Sequence, residues 1–303
     1  MTQTEMKCAA QHFGPWWVLP SWLNQALSAY RSGLIGPAAA VAKPPAGEPA
    51  DGLGFTMYGS VAKISVIGQM TKGESSFGGT STIRTRQALR AAMADDKVRA
   101  ILMAIDSPGG TVAGTVDLAD DVARAGTVKP VWAHVDDTGA SGAYYVAAGA
   151  ERITANRNAI LGSIGTVMVL EDSSKMAADL GVEVHVLSTG PNKGTGIPGA
   201  PVTKGQLAAE QTVIDDLGEQ FVDHINSSRR LALKLGEGAA DGRVMIAAKA
   251  LKAGLIDAVQ SFGVTLAEMQ AALAAEDAGA IAKARHASQK NEVQVLTRPA
   301  SHA

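Results

Sequence analysis

The sequence has little of what several protein classes require. Its one cysteine, Cys8, excludes an intrachain disulfide and leaves a reducing compartment open to the protein. Lysine and arginine total 27 against 29 aspartates and glutamates, and no block of like charge indicates a nucleic-acid footprint. No apolar run reaches the ~18 residues of a membrane span, and no secretory signal is evident. We therefore expect no nucleic-acid partner, no stable membrane span and a cytoplasmic location.

Metal and cofactor motifs are also missing from the sequence. It contains no HExxH motif, no paired cysteines and no cluster of histidines and carboxylates at the spacing that metal ligands require. Aromatic residues make up only 4% of the chain, whereas glycine is abundant, with 33 residues. Glycine is enriched where backbone must approach backbone or substrate closely. The sequence therefore predicts neither a metal site nor a cofactor.

The composition shifts along the chain and divides it into four parts. They are an N-terminal arm at 1–36, a linker at 37–52, a main domain at 53–262 and a helical, then polar, tail at 263–303. The linker holds four prolines and shows no periodicity. A short helix starting after Pro20 would give the arm one apolar face. That face would consist of Trp16, Trp17, Leu19, Trp22, Leu23 and Leu27. We expect it to dock on the main domain or on a partner protein.

In the main domain, strand-like apolar segments alternate with helical ones. Predicted strands lie at 59–68, 98–106, 130–136, 152–156, 165–170 and 182–188. Predicted helices lie at 82–95, 115–125, 139–150, 173–181 and 203–234, the last capped by Thr203. Alternation of this kind predicts an α/β fold with a parallel sheet and crossover helices. In such sheets, ligands bind at the carboxyl ends of the strands.

Two glycine-rich corners at strand ends suggest nucleophilic catalysis. In IDSPGG (105–110), Gly109 and Gly110 leave backbone N–H groups uncovered, and these could donate to an oxyanion. Ser141 stands between a strand and a helix, and the amide of Gly142 lies at the helix N-terminus, where negative charge is favoured. Taken singly, the first feature is more typical of an ordinary turn and the second of an N-cap serine. Ser163 is a second candidate nucleophile, which we interpret as a turn residue because a strand pattern follows it.

A base for the serine can be sought among the lysines and histidines. Lys193 lies in the Gly/Pro-rich loop LSTGPNKGTGIPGAPVT (187–203), just after a predicted strand. A lysine acts as a base only when its amine is uncharged, which requires a desolvated site. The six histidines are His12, His134, His185, His224, His286 and His302. His134, close to Ser141 in sequence, is the best alternative base.

Taken together, these segments resemble the signal peptide peptidase A family of serine peptidases, family S49. The matching pieces are IDSPGG, DDTGASGAYYVAAGAERITANRNAILGSIGTV, TGPNKGTG and GRVMIAAKALKAGLID. The resemblance implies a ClpP/crotonase-like fold, with Ser141 as nucleophile, Lys193 as general base and Gly109 and Gly110 in the oxyanion loop. The amide of Gly142 is the second donor that the residues themselves suggest.

The chain also departs from the family pattern. Gly194 stands where the family has an acidic residue after the lysine, which leaves the orientation of Lys193 open, and Ala143 replaces a frequent glycine. The family's membrane anchor is missing. With no anchor and with a tryptophan-rich arm, the sequence resembles the phage and prophage branch of the family, whose members act in capsid maturation.

The resemblance therefore implies a serine endopeptidase that works through an acyl-enzyme. A homo-oligomer, a peptide or protein substrate, capsid or scaffold partners and a location in the bacterial cytoplasm or a phage prohead are the matching expectations. Two alternatives remain. One is a non-enzymatic capsid or scaffold assembly protein that retains the fold, and the other is a crotonase-like acyl-CoA enzyme with no need for Lys193.

Overall fold

The computed structural model describes residues 15–21, 24, 54–74 and 79–278. The linker at 37–52, most of the arm and the end of the tail lie outside the described residues. Predictions for those segments, including the position of Trp22, therefore stay predictions.

The described part of the chain contains twelve strands, seven α-helices of six or more residues and a 3-10 helix at Gly238–Ala240. The strands are β1 (Trp16–Val18), β2 (Thr56–Tyr58), β3 (Val61–Ile67), β4 (Met70–Thr71), β5 (Thr80–Ser81), β6 (Ala100–Ser107), β7 (Gly109–Thr111), β8 (Val131–Ala140), β9 (Arg152–Ala155), β10 (Ile160–Gly162), β11 (Val244–Ile246) and β12 (Ala258–Val259). The helices are α1 (Thr82–Ala94), α2 (Thr115–Gly126), α3 (Gly142–Ala148), α4 (Ser174–Asp179), α5 (Lys204–Arg229), α6 (Ala247–Lys252) and α7 (262–278).

The main sheet is built on parallel strands. β3, β6 and β8 pair in parallel, and the long β8 pairs β9 with its first half and β10 with its second half. Helices α1 and α2 make the crossovers between β3, β6 and β8, while β2 and β11 add antiparallel edges. These features confirm the predicted α/β fold with a parallel sheet and crossover helices.

A second, smaller sheet stands at the carboxyl ends of the main strands. Its order is β1-β7-β4-β5. β4 follows β3 after two residues, Gly68 and Gln69, and β7 follows β6 after a single residue, Pro108. The small sheet therefore carries the IDSPGG loop to the edge where ligands bind in α/β proteins.

Helix α3 is enclosed by the rest of the fold. All seven of its residues are buried, and the chain enters it from β8 through a single residue, Ser141. Its Tyr144 hydroxyl donates a hydrogen bond to the carbonyl of Leu255, 2.7 Å away. Small alanines on α3 allow this close packing, which fixes the helix start in space.

The long helix α5 begins as predicted and ends earlier. Thr203 caps it in a full capping box with Gln206. The helix stops at Arg229 because Arg230 adopts a left-handed conformation, with φ of 54°. The side chain of Asn226 then bonds both the N–H and the carbonyl of Leu233, which replaces helical hydrogen bonds beyond this point.

Two predicted strands are wrong. Among the described residues, 165–170 contributes only an isolated bridge between Val167 and Trp16, and 182–188 forms no strand. Both segments carry a β-like apolar pattern, but a pattern becomes a strand only where a partner strand is in reach. In 182–188 the side chain of Leu187 is 97% exposed.

The predicted helix start near Pro20 agrees with the helical conformation at residues 20, 21 and 24. The predicted helix face is wrong for Trp16 and Trp17, which lie in strand β1. Trp16 is 2% exposed and Trp17 is fully buried, so this part of the arm docks on the main domain.

The packing of α1 on α2 predicts a stability effect at Asp121. Its carboxylate is 2% exposed and accepts hydrogen bonds from Arg86 and Arg90 at 2.8 and 3.1 Å. Burial raises the pKa of Asp121, but the bonds and charges of these arginines together lower it. We expect Asp121→Asn to lower the free energy of unfolding by about 1–2 kcal/mol in denaturant titrations near neutral pH. The exposed Asp120→Asn is the matched control and should change little.

The sign of the pH dependence follows from the lowered pKa. The contribution of Asp121 is present above the usual range of a carboxyl and is lost as the pH falls through the lowered value. Wild type and Asp121→Asn should therefore converge in stability in acid. An equal gap at all pH values would contradict this origin.

Candidate active site

Ser141 occupies a strained corner between β8 and α3. Its φ of 52° and ψ of −123° lie in a region that non-glycine residues rarely adopt. The corner is held because the N–H of Ser141 donates to Gly162 and its carbonyl accepts from Tyr145, at 2.8 and 2.9 Å. Strain of this kind, kept by surrounding structure, is typical of functional sites and resembles a nucleophile elbow.

The hydroxyl of Ser141 is buried without a hydrogen-bond partner. The residue is 1% exposed, and its Oγ makes no hydrogen bond with any described residue. A buried hydroxyl that lacks a partner costs free energy, so its retention calls for a reason beyond stability. The Ser141 hydroxyl can therefore form a hydrogen bond with a further group without first breaking an existing one.

The predicted oxyanion glycines lie beside this serine. A Cβ added to Gly109 would stand 2.8 Å from the backbone nitrogen of Gly142, and a Cβ added to Gly142 would stand 3.5 Å from the nitrogen of Gly110. A Cβ on Gly110 would overlap the carbonyl oxygen of Met70. The structure thus brings Gly109, Gly110, Ser141 and Gly142 together, and at Gly109 and Gly110 an added side chain would overlap backbone atoms.

A short chain of hydrogen bonds fixes the glycine loop. The hydroxyl of Ser107 donates to the carbonyl of Gly68 at 2.6 Å and accepts from the N–H of Gly109 at 3.2 Å. Ser107 is fully buried and ends the central strand β6. The loop amides are therefore held before any ligand arrives, which is what stabilisation of a developing oxyanion requires.

Lys193 is not bonded to Ser141 in this structure. It lies exposed in a turn, where its N–H donates to the carbonyl of Gly190 at 3.2 Å. The turn rests on the preceding segment, because a Cβ on Gly194 would meet the side chain of Val186. The proposed base therefore stands in the loop that the sequence indicated, and its pairing with Ser141 stays a prediction.

The alternative base His134 is placed away from the serine. It points to the face of the sheet that α7 covers, where its ring packs edge-on against Phe262 and its Nδ1 lies 2.7 Å from the hydroxyl of Thr154. Burial lowers the pKa of His134 to about 4. His134 is thus a neutral histidine of the core, bonded to a threonine.

A second histidine, which sequence reasoning assigned no role, lies close to α3. His224 on α5 stacks on the ring of Tyr145 with centroids 3.9 Å apart, and its Nε2 lies 2.9 Å from the carbonyl of Tyr145. Burial lowers the pKa of His224. The contact joins α5 to α3 and supports the helix that follows the serine.

Ser163, the other candidate nucleophile, also has a φ of 52° and is 4% exposed. Its N–H donates to the carbonyl of Arg243 at 2.8 Å, which places it in the connection that leaves β10. Residues 164–173, which follow it, form no helix, in contrast to the residues after Ser141. Within the described residues there is also no group of three or more His, Cys, Asp or Glu side chains that could hold a metal ion.

Sequence reasoning missed an aromatic pocket beside the serine. Tyr145, Phe221 and Thr166 surround the indole of Trp17, which is fully buried. Tyr145 lies four residues after Ser141 and so shares its side of the helix. That spacing was a signal available in the sequence, whereas the contributions from 166 and 221 arise only from the fold.

Comparison with known proteins finds a peptidase family profile and relatives with protease names. Residues 123–276, about half of the chain, match the profile described as Peptidase family S49. A protein of Methanocaldococcus jannaschii that carries a protease name is 35% identical over 165 residues, 54% of this chain and 53% of that protein. Capsid assembly protease C of Escherichia phage lambda is 30% identical over 169 residues, 56% of this chain and 38% of that protein.

A solved structure of the 1510-N membrane-bound stomatin-specific protease is 18% identical, with a TM-score of 0.41. It covers 68% of this chain, and the alignment takes in 81% of that chain. Against the two curated relatives, by contrast, the aligned part spans at most about half of their length.

The buried hydroxyl predicts that Ser141 lowers stability. Ser141→Ala removes a polar group that lacks a partner, so we expect the free energy of unfolding to rise by about 1 kcal/mol. Ser163→Ala is the matched control, because both serines have the same φ and the control leaves the Ser141 hydroxyl in place. Thermal unfolding of the three proteins measures the difference. A lower midpoint for Ser141→Ala would mean that the hydroxyl is satisfied in solution.

Proposed function

The chain belongs to peptidase family S49, and we propose that it is a serine endopeptidase with Ser141 as its nucleophile. One observation carries the proposal most directly. Ser141 combines a strained φ, a buried unpartnered hydroxyl and neighbouring glycine amides at one strand end. An ordinary N-cap serine would instead bond its hydroxyl to the helix that it caps.

The proposed reaction proceeds through an acyl-enzyme. Uncharged Lys193 takes the proton of the Ser141 hydroxyl while the oxygen attacks the peptide carbonyl, and the amides of Gly110 and Gly142 donate to the oxyanion. The C–N bond then breaks as the amine leaves with a proton from the lysine. A water molecule next attacks the ester, so that the acid product departs and the serine regains its proton.

We further propose that Lys193 reaches Ser141 between two copies of the chain. Lys193 is exposed, Ser141 has no bonded base in one copy, and an apolar surface lies just before the lysine loop. That surface consists of Met176 (63% exposed), Leu180 (74%), Val182 (53%), Val186 (41%) and Leu187 (97%). Exposed apolar patches of this kind mark interaction sites, and burial in an interface would also desolvate the amine.

The biological setting is proposed from the phage relative. That relative is named as a capsid assembly protease, and we propose a role in capsid maturation, with capsid or scaffold proteins as substrates. No helix of the described ranges is long and apolar enough to span a bilayer. A non-enzymatic assembly protein is the second candidate, favoured by the absence of a bonded base at Ser141 in a single copy.

The nucleophile is tested by labelling with a serine-directed phosphonate and by mass spectrometry of the modified peptide. We expect the label on Ser141, and we expect Ser141→Ala to lose labelling and at least about 10³-fold of peptide cleavage. Ser163→Ala should keep both activities. Label on Ser163, or full cleavage by Ser141→Ala, would show that the nucleophile is another residue. A folded protein that neither labels nor cleaves as an oligomer would favour the assembly protein.

The base and its origin are tested by complementation. Lys193→Ala should lose cleavage as Ser141→Ala does, whereas Lys175→Ala, an exposed lysine on α4, should not. If each dyad forms between copies, mixing equal amounts of Ser141→Ala and Lys193→Ala should restore about a quarter of wild-type activity, because random assembly pairs two intact residues at that frequency. No recovery after unfolding and refolding together would place the dyad within one copy. Full activity of Lys193→Ala would eliminate the lysine as the base.

A further inference from the structure

The arm runs beside the serine as an extended strand that is bonded on both sides. β1 pairs antiparallel with β7, with Trp17 opposite Gly110. On its other side, the N–H and carbonyl of Trp16 exchange hydrogen bonds with Val167 at 2.9 and 3.0 Å. Beyond β1, the N–H of Leu19 donates to the carbonyl of Pro108 at 2.8 Å. This is how a groove between two chain segments holds an extended peptide.

The carbonyl of Trp17 faces the predicted oxyanion glycines. A Cβ built on Gly109 would overlap this carbonyl oxygen, and a Cβ on Gly142 would lie 3.0 Å from it. The same two positions flank Ser141. The carbonyl of Trp17 therefore lies against the backbone of Gly109 and Gly142, the glycines next to Ser141.

The indole of Trp17 fills the aromatic pocket. Its ring stacks on Tyr145 with centroids 4.5 Å apart and lies tilted against Phe221 at 4.8 Å. Its Nε1 donates to the hydroxyl of Thr166 at 2.7 Å. The pocket thus accepts a large flat ring and satisfies its one polar atom, as buried tryptophans require.

The two neighbours of Trp17 point the other way and are covered as well. Trp16 and Val18 are 2% and 1% exposed and pack on Val167. A cavity of about 300 Å³ lies next to Val18 and Pro20, with Ser163 in its wall. Side chains on both faces of β1 are therefore covered.

We propose that residues 15–19 are a resident occupant of the peptide groove, which keep substrate from Ser141 until they are withdrawn, and that the pocket around Trp17 selects peptides with a large aromatic residue. The effect on catalysis rests on the proposed function, whereas the binding of residues 15–19 in the groove does not. The covalent tether keeps the arm at high effective concentration, so a free peptide must compete with it.

The arm can be released without changing its sequence. A recognition site for an added protease, placed within linker residues 37–52, allows the folded chain to be cut and the arm to dissociate on dilution. We expect Ser141 labelling by a phosphonate to speed up at least about 10-fold after the cut. A synthetic peptide PWWVLPS, which reproduces residues 15–21, should slow it again, and the same peptide with alanine at the position of Trp17 should not.

Variants of the uncut chain give a second measurement. Trp17→Ala should raise the labelling rate by weakening the arm. Trp132→Ala removes an equal ring from the sheet face that α7 covers and should leave the rate unchanged. Faster hydrogen exchange at the amides of 109–111 and at Val167 in Trp17→Ala would report withdrawal of the strand directly.

The outcomes separate this inference from the peptidase assignment. If PWWVLPS binds the cut protein, as followed by its fluorescence, but Ser141 never labels, the arm proposal stands and the peptidase proposal fails. If the cut and uncut proteins label equally fast and the peptide does not bind, the arm proposal fails and the peptidase proposal stands. Cleavage of the wild-type chain between Trp17 and Val18 would also overturn it, because the arm would then be a substrate.

Discussion

Three backbone segments meet around Ser141 with no space for side chains between them, and the rest of the site depends on this approach. Gly110 faces the carbonyl of Met70, Gly109 faces the arm, and Gly142 starts α3 beside both. Each of these contacts is between backbone atoms. A Cβ added to any of the three glycines would therefore press on an atom that cannot rotate away. The loop amides, the strained serine and the start of the helix are therefore held as one rigid unit, which is the condition for preorganised electrostatic stabilisation.

The elements that could be predicted from the sequence are those whose signals are local. β6 and β8 are apolar runs that end in glycine-rich turns, and a serine between a strand and a helix identifies the corner at Ser141 without knowledge of the fold. Membership of family S49 agrees with that interpretation and includes both Ser141 and Lys193 in the matched range. Gly109 and Gly110 lie before that range, so their place beside the serine rests on the geometry alone.

The parts that could not be predicted are those that distant pairing decides. The apolar pattern of the arm fits a helix face as well as it fits a strand, and Trp16 becomes a strand residue only because Thr111 and Val167 offer backbone partners far along the chain. The opposite holds for 182–188, where the β pattern is strong and no described strand lies beside it. Strand propensity describes the fit to a partner more than it describes the segment itself.

The exposed apolar surface before Lys193 and the buried hydroxyl of Ser141 are two unfavourable features that a single contact between copies would remove. A single copy leaves Leu187 in water and a polar oxygen in the core, and each arrangement is unfavourable by itself. A contact that buried the apolar segment while bringing an amine to the serine would correct both at once. The arm has another effect. It pairs with the backbone of β7 and fills the aromatic pocket with the indole of Trp17, but it leaves the Ser141 oxygen without a hydrogen-bond partner. The arm can therefore fill the groove while the Ser141 hydroxyl stays without a hydrogen bond. Occupancy of the groove and placement of a base at Ser141 are thus two separate events.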